Sequence, residues 1–325
     1  MSFVLILSIL VIFFLIELLY FRIADQYNII DKPNYRSSHK AITIRGGGVI
    51  FCLSVLLFFV LSGFQYPYFT IGLLFISIIS FLDDILTLNS RVRLIIHLIA
   101  VFLLLHQWDL FNMPWFWLVI ASVFVIGIIN AYNFMDGING ITGSYSLLAV
   151  GTLYYINQNV VPFISSDFLI IIGLSLLVFN FFNFRTKAKC FAGDVGSISM
   201  AFIIVFCIGQ LIIKTNNFSY ILLLLVYGLD TVLTIFFRIM RRENILEAHR
   251  SHFYQYLANE KRYPHLLVSG IYMLIQLAVN CLLLFYVNSS YLFALSLFAI
   301  MLISFIGTRF LMEGKKLLLL TKEDK

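Results

Sequence analysis

At 325 residues, with 61% hydrophobic and 12% charged side chains and a mean hydropathy of +0.98, the chain has too little polar surface to coat a soluble domain. Its net charge of +6 reads as membrane topology and contact with anionic lipid, and implies no nucleic-acid footprint. The composition leaves an all-α polytopic membrane protein.

A bilayer core of about 30 Å needs roughly 20 apolar residues per helix. Windows near that length fall at 3–21, 46–63, 67–82, 92–107, 114–130, 140–156, 167–183, 196–213, 219–239, 266–287 and 291–311. They predict about eleven transmembrane helices in a single integral domain, 1–325. The first window lacks a basic leader and a small-residue cleavage site and contains Glu17, so it reads as a retained helix. Threading the spans alternately with the N-terminus outside and the C-terminus cytoplasmic places every Lys and Arg except Lys214 on the cytoplasmic side. Cys52, Cys190, Cys207 and Cys281 have no paired spacing, so neither a disulfide framework nor a zinc site is indicated.

The same threading gathers the hydrophilic segments Asp31–Arg45, Asp83–Arg93, Asn130–Gly140, Phe184–Gly196 and Arg238–His265 on that face. The first, DKPNYRSSHKAITIRGGG, carries His39, Lys40 and Arg45 ahead of three glycines, whose backbone donors at a helix start suit an anion. In the second, FLDDILTLNSRVR, Asp83 and Asp84 project about 100° apart and repel unless a cation or shared proton lies between them. Magnesium held together with substrate phosphates resolves that conflict. A helix end emerging into water, with Arg91 and Arg93 as partners, is the bland alternative.

NAYNFMDGING sets Asn130, Asn133, Asp136 and Asn139 among glycines, an expensive cluster beside hydrocarbon unless it lines a polar cavity. A helix continuing through it puts Asn133 and Asp136 on one face, and Gly137 and Gly140 then let backbone approach a ligand. In CFAGDVGS, Asp194 reads either as the cap of the next helix or as a fourth carboxylate of the shared face, and Phe191 as an interfacial anchor or a stacking surface. In RRENILEAHRSHFYQYL, His249, Arg250 and His252 form a cluster suited to gripping phosphate oxygens. Asp230 and Glu17, inside spans, read as structural, with Arg238 as a candidate partner of Asp230.

In this order and spacing the DD pair, NAYNFMDGING, FAGDVGS and AHRSH resemble the polyprenyl-phosphate N-acetylhexosamine-1-phosphate transferases, glycosyl transferase family 4, across roughly residues 31 to 265. AHRSHFYQYL is closer to the bacterial initiators of O-antigen, lipopolysaccharide and other surface polysaccharides than to phospho-MurNAc-pentapeptide transferases. The acidic pair is followed by Leu86 and Thr87 where a further polar residue is common, and HKAITIRGGG lacks the prolines often found there.

The resemblance implies a bacterial inner-membrane enzyme. It moves a sugar 1-phosphate from a UDP-N-acetylhexosamine (GlcNAc, or a deoxy relative such as FucNAc or QuiNAc) to undecaprenyl phosphate, releasing UMP. By the same resemblance Asp194 and Asn133 hold Mg2+, or Mn2+ in its place. Asp83 or Asp84 positions or deprotonates the lipid phosphate, and Arg93, His249, Arg250 and His252 steady the diphosphate. Phe191 stacks on uracil and Asn139 hydrogen-bonds it, and Asp136 and Arg45 complete the substrate site. A covalent aspartyl-phosphate route is the rival mechanism. The partners expected are the two substrates, membrane lipid and, as an option, a second copy in a homodimer. The competing readings are a peptidoglycan-precursor transferase, a transporter with a polar path near the bilayer midplane, and a lipid-carrier-binding scaffold.

Overall fold

The computed structural model describes residues 1–31, 42–86, 88–245, 247, 249–286 and 291–320. His39, Lys40 and Thr87 lie outside the described residues.

Every expected span falls on a helical segment. These are α1 (Phe3–Gln26), α2 (Val49–Leu61), α3 (Pro67–Leu86), α4 (Ser90–Gln107), α5 (Trp115–Met135), α6 (Ile141–Asn159), α7 (Ser166–Asn183) and α8 (Gly193–Thr215). A 3-10 segment, Phe218–Leu224, leads into α9 (Leu225–Met240). A short turn, α10 (Phe253–Gln255), precedes α11 (His265–Tyr286) and α12 (Tyr291–Leu319).

Among the described residues, nine of these segments are long and apolar enough to cross a membrane, where eleven were expected. The two exceptions have plain causes. Helix α2, with 13 residues, rises only about 20 Å. Helix α6 is long enough, but Thr142, Ser144, Ser146, Thr152 and Asn157 make it too polar, and all five are buried against protein. Two strands of two residues, β1 (Ile30–Asp31) and β2 (Thr43–Ile44), are absent from the sequence reading; they pair antiparallel and pinch the ends of the first inter-helix loop.

Helix α8 is the central post. It packs against α2, α3, α5 and α6, and most of its length is buried. Helices α1 and α12 sit at the periphery with large apolar side chains outward, Phe3 79% and Leu311 88% exposed, as a lipid-facing surface requires. Helix association in lipid draws on close packing and hydrogen bonds between helices, and both are present. Ser77 Oγ of α3 meets Ser199 Oγ of α8 at 2.7 Å. The break between the 3-10 segment and α9 is closed by Gln276 of α11, which accepts from Val226 N and donates to Leu222 O, each at 2.9 Å. Irregular backbone at membrane depth is tolerable there because another helix satisfies it.

Candidate active site

Helix α3 ends against the start of α8, and this junction organises the acidic residues. Both carboxylate oxygens of Asp84 accept backbone N–H groups of α8, from Asp194 at 2.9 Å and from Val195 at 3.1 Å. The same carboxylate meets Arg45 Nε at 2.8 Å and its side chain has no exposure. Asp83 turns the other way, accepts Leu88 N at 2.6 Å and pairs with Arg93. Two guanidinium groups, one for each carboxylate, therefore remove the repulsion that the sequence had suggested a cation would relieve. Asp194 is likewise not the cap of its own helix: α8 is capped by Asp84 from α3. That leaves the Asp194 carboxylate 21% exposed and loosely held, 3.4 Å from Arg45 Nη2 and 4.0 Å from Arg93 Nη1.

The Arg45–Gly48 turn and the Cys190–Gly196 loop are laced together. Phe191 N donates to Ile44 O, Gly47 N to Phe191 O and Gly48 N to Ala192 O, at 2.8, 2.9 and 3.1 Å. Two of the three glycine donors expected to serve an anion, those of Gly47 and Gly48, are thus spent on this loop. A Cβ on Gly48 would sit 2.2 Å from the Gly196 Cα, so both positions need hydrogen for the two helix starts to touch. From α1, Tyr20 donates its hydroxyl to Arg45 O at 2.6 Å, and buried Glu17 lies 3.7 Å from Cys190 Sγ beneath the turn. Phe191 is half-buried at the rim of this loop.

The end of α5 joins this cluster to the rest of the site. Asn133 Oδ1 accepts the Ser197 hydroxyl of α8 at 2.8 Å. The helix stops at Met135, so Asp136 leaves the face it was expected to share with Asn133. Burial pushes the Asp136 carboxyl up to about 6, against a lowering contribution from the Thr142 hydroxyl. Gly137 and Gly140 do admit close approach, but of protein groups: the Tyr254 hydroxyl and the Phe184 ring fill the space a Cβ would take. Asn139 is buried, and its amide nitrogen donates to Arg185 O at 2.9 Å and Thr186 O at 3.2 Å. This commits the amide nitrogen to joining two loops; the resemblance had implied a base-reading group here.

Beyond α9, the Phe134 ring lies 6.2 Å from His249 and 6.0 Å from His252, and Tyr254 Oη donates to Phe134 O at 2.9 Å. His249 is half-buried and Arg250 exposed, whereas His252 is 2% exposed with its Nδ1 3.6 Å from Asp230. The three-residue grip expected on phosphate therefore reduces to His249 and Arg250, with His252 packed behind them. Burial, reinforced by the His252 and Arg238 charges, pushes His249 down to about 3, so the ring is neutral near pH 7. Its Nδ1 accepts from Ser251 N at 3.4 Å and lies 3.0 Å from Ser251 Oγ, an arrangement that places the ring proton on Nε2.

Several supporting residues carried no signal beyond their type. Ser197 lies inside a motif singled out for its aspartate. Arg238 is not the partner of Asp230; it donates to the carbonyls of Asn244, Ile245 and Glu247 and to the Glu243 carboxylate.

Three carboxylates, Asp83, Asp84 and Asp194, thus face two guanidinium groups, Arg45 and Arg93, and Asp194 is the least tightly held of the three. Among the described residues no group of three or more His, Cys, Asp or Glu side chains is placed to hold a metal. A hard divalent cation that takes one carboxylate and completes its shell from substrate phosphates and water fits this oxygen donor set.

Residues 66–212 match the family model of glycosyl transferase family 4. That stretch contains the acidic pair and the motifs around Asn133 and Asp194, and ends before His249. A Bacillus subtilis protein described as a probable undecaprenyl-phosphate N-acetylglucosaminyl 1-phosphate transferase is 27% identical over 262 residues, 73% of this chain and 71% of that one. The undecaprenyl-phosphate alpha-N-acetylglucosaminyl 1-phosphate transferase of Yersinia pestis is 24% identical over 208 residues, 58% of this chain and 57% of its own length. The phospho-N-acetylmuramoyl-pentapeptide-transferase of Thermotoga maritima is 26% identical over 245 residues, 69% of this chain and 78% of that one.

Proposed function

We propose, for a chain that belongs to the glycosyl transferase family 4 superfamily, that it transfers N-acetylhexosamine 1-phosphate from a UDP-sugar to undecaprenyl phosphate at the cytoplasmic face of a bacterial inner membrane. The products are undecaprenyl-diphospho-sugar and UMP, and the step opens the synthesis of a surface polysaccharide. The observation that carries this reading is the Asp194 carboxylate, left loosely held between Arg45 and Arg93 at the foot of a helix capped by Asp84.

In the reaction an oxygen of the lipid phosphate attacks the β-phosphorus of the donor. A P–O bond forms there as the bond from that phosphorus to the bridging oxygen breaks, and UMP departs with the electron pair. Catalysis of this kind is mostly positioning and charge neutralisation. Asp83, partly exposed beside Arg93, orients the lipid phosphate. Arg93 and Arg250 supply positive charge to the diphosphate, and neutral His249 offers an Nε2–H donor. Asp84 acts as a positioning residue, since its oxygens are occupied by the first turn of α8 and by Arg45. Asp194 and Asn133 would hold magnesium, which when bound neutralises phosphate charge. Phe191, at the rim, provides a face for uracil, and Asn139 and Asp136 hold the neighbouring loop in place.

The test is to incubate detergent-purified protein with undecaprenyl phosphate, magnesium and separate UDP-N-acetylhexosamines, and to quantify UMP and the lipid product. Lipid-dependent UMP release with one donor preferred supports the transferase. Folded, lipid-bound protein that releases no UMP from any donor refutes it and leaves the scaffold or transporter.

A further inference from the structure

Asp230 of α9 and Arg309 and Glu313 of α12 are ionisable side chains that lie fully or nearly fully buried within membrane spans. Such groups are costly at membrane depth, and a bare clasp between two helices would close with a single ion pair. Here Arg309 and Asp230 are joined through Thr234, whose hydroxyl donates to Asp230 Oδ1 at 3.2 Å, and both also bond the backbone of the Ser251–Tyr254 segment. Arg309 is held by Glu313, at 2.6 Å from Nε and 3.1 Å from Nη2, and donates from Nη2 to Ser251 O at 3.0 Å and from Nη1 to Thr234 Oγ1 at 2.9 Å. Asp230 accepts Phe253 N at 2.8 Å, Tyr254 N at 3.2 Å and the Tyr272 hydroxyl at 2.7 Å.

Ser251 is the joint. Arg309 fixes its carbonyl, while its amide and hydroxyl meet the Nδ1 of His249, two residues earlier. A continuous chain of hydrogen bonds thus runs from Arg309 of α12 to the His249 ring.

We infer that Arg309 and Asp230 are positioning residues for transfer: from inside the bilayer they fix the main chain of Ser251–Tyr254, and through it the aim of His249 and Arg250 at the donor diphosphate. The inference rests on the function proposed above. It assigns α12 a part in the reaction although none of its residues lies in the acidic cluster, and it explains why a lipid-facing helix buries an arginine.

The test is a double-mutant cycle on purified protein, read as kcat/KM for the UDP-sugar beside the melting temperature of each variant. Replacing Arg309→Met together with Glu313→Gln removes the ion pair of α12 as a unit and leaves Asp230 with its own donors, Phe253 N, Tyr254 N and the Tyr272 hydroxyl. Alone, it is expected to lower kcat/KM roughly tenfold; in a His249→Ala, Arg250→Ala background it is expected to cost no more than about twofold, because the groups it positions are gone. Tyr272→Phe, which keeps the ring and removes one hydroxyl from Asp230, provides a milder second handle and is expected to cost about threefold, again only when His249 and Arg250 are present.

Losses that multiply in full across the two backgrounds, or an undiminished kcat/KM for both Arg309→Met with Glu313→Gln and Tyr272→Phe in the native background, overturn the inference. If the native chain transfers and the cycle is multiplicative, only the positioning role falls. If the native chain releases no UMP, the function itself falls.

Discussion

Asp84 of α3 caps α8 at Asp194, its Oδ1 accepting the Asp194 backbone N–H at 2.9 Å while Arg45 closes on the same oxygen at 2.8 Å. One of the two adjacent carboxylates is therefore committed to architecture and the other, Asp83, remains partly exposed. Asp84→Ala should lower stability by about 1–3 kcal/mol through the lost cap, as well as reducing turnover. Asp83→Asn should reduce turnover with a melting temperature close to native. Thermal melts and UMP release measured on both variants check the division; equal destabilisation by the two would contradict it.

The contact between Gly48 and Gly196 leaves no room for a methyl group. Gly48→Ala would drive a Cβ to 2.2 Å from the Gly196 Cα and separate the two helix starts that bracket Arg45 and Asp194. Overpacking of this kind costs about 1–3 kcal/mol and moves backbone. The expected outcome is a lower melting temperature with a loss of turnover larger than that of Gly151→Ala, where nothing lies within 4 Å of the added Cβ.

Burial lifts Asp136 from 3.8 to about 6. Between those values the folded chain holds a proton that the unfolded chain has released, so this group's contribution to stability is fully present below about pH 4 and is lost as pH rises through about 6. Asp136→Asn, which cannot ionise, should therefore gain in melting temperature relative to the native chain as pH is raised across that window. A difference that stays flat from about pH 4 to about pH 8 would show the carboxyl to be unperturbed.

The long apolar runs announced the helices and their order, because hydropathy over about 20 residues is a local property. The polar motifs announced which residues gather at one end of the bundle, since alternate threading brings Asp83, Asn133, Asp194 and His249 together. What the sequence did not show is which partner each group takes. That Asp84 caps a helix more than a hundred residues away, that Gly47 and Gly48 donate to a loop, and that Asp230 holds Phe253 and Tyr254 all depend on tertiary contacts with no local pattern. The shortness of α2 and the polarity of α6 were visible residue by residue. Apolar length alone does not register buried hydroxyls such as Ser144 and Ser146.

In the proposed reaction the Asp194 carboxylate would hold the divalent cation that neutralises the donor phosphates. The most direct measurement is UMP release by native protein and by Asp194→Asn, each with undecaprenyl phosphate and the preferred UDP-sugar, before and after chelation and after magnesium or manganese is restored. Asp194→Asn should melt like the native chain, because its side chain is partly exposed and its helix is capped by Asp84, yet lose turnover at least about 100-fold. Native turnover should vanish on chelation and return with either metal. Transfer that persists in folded Asp194→Asn, or in chelated native protein, would contradict the account.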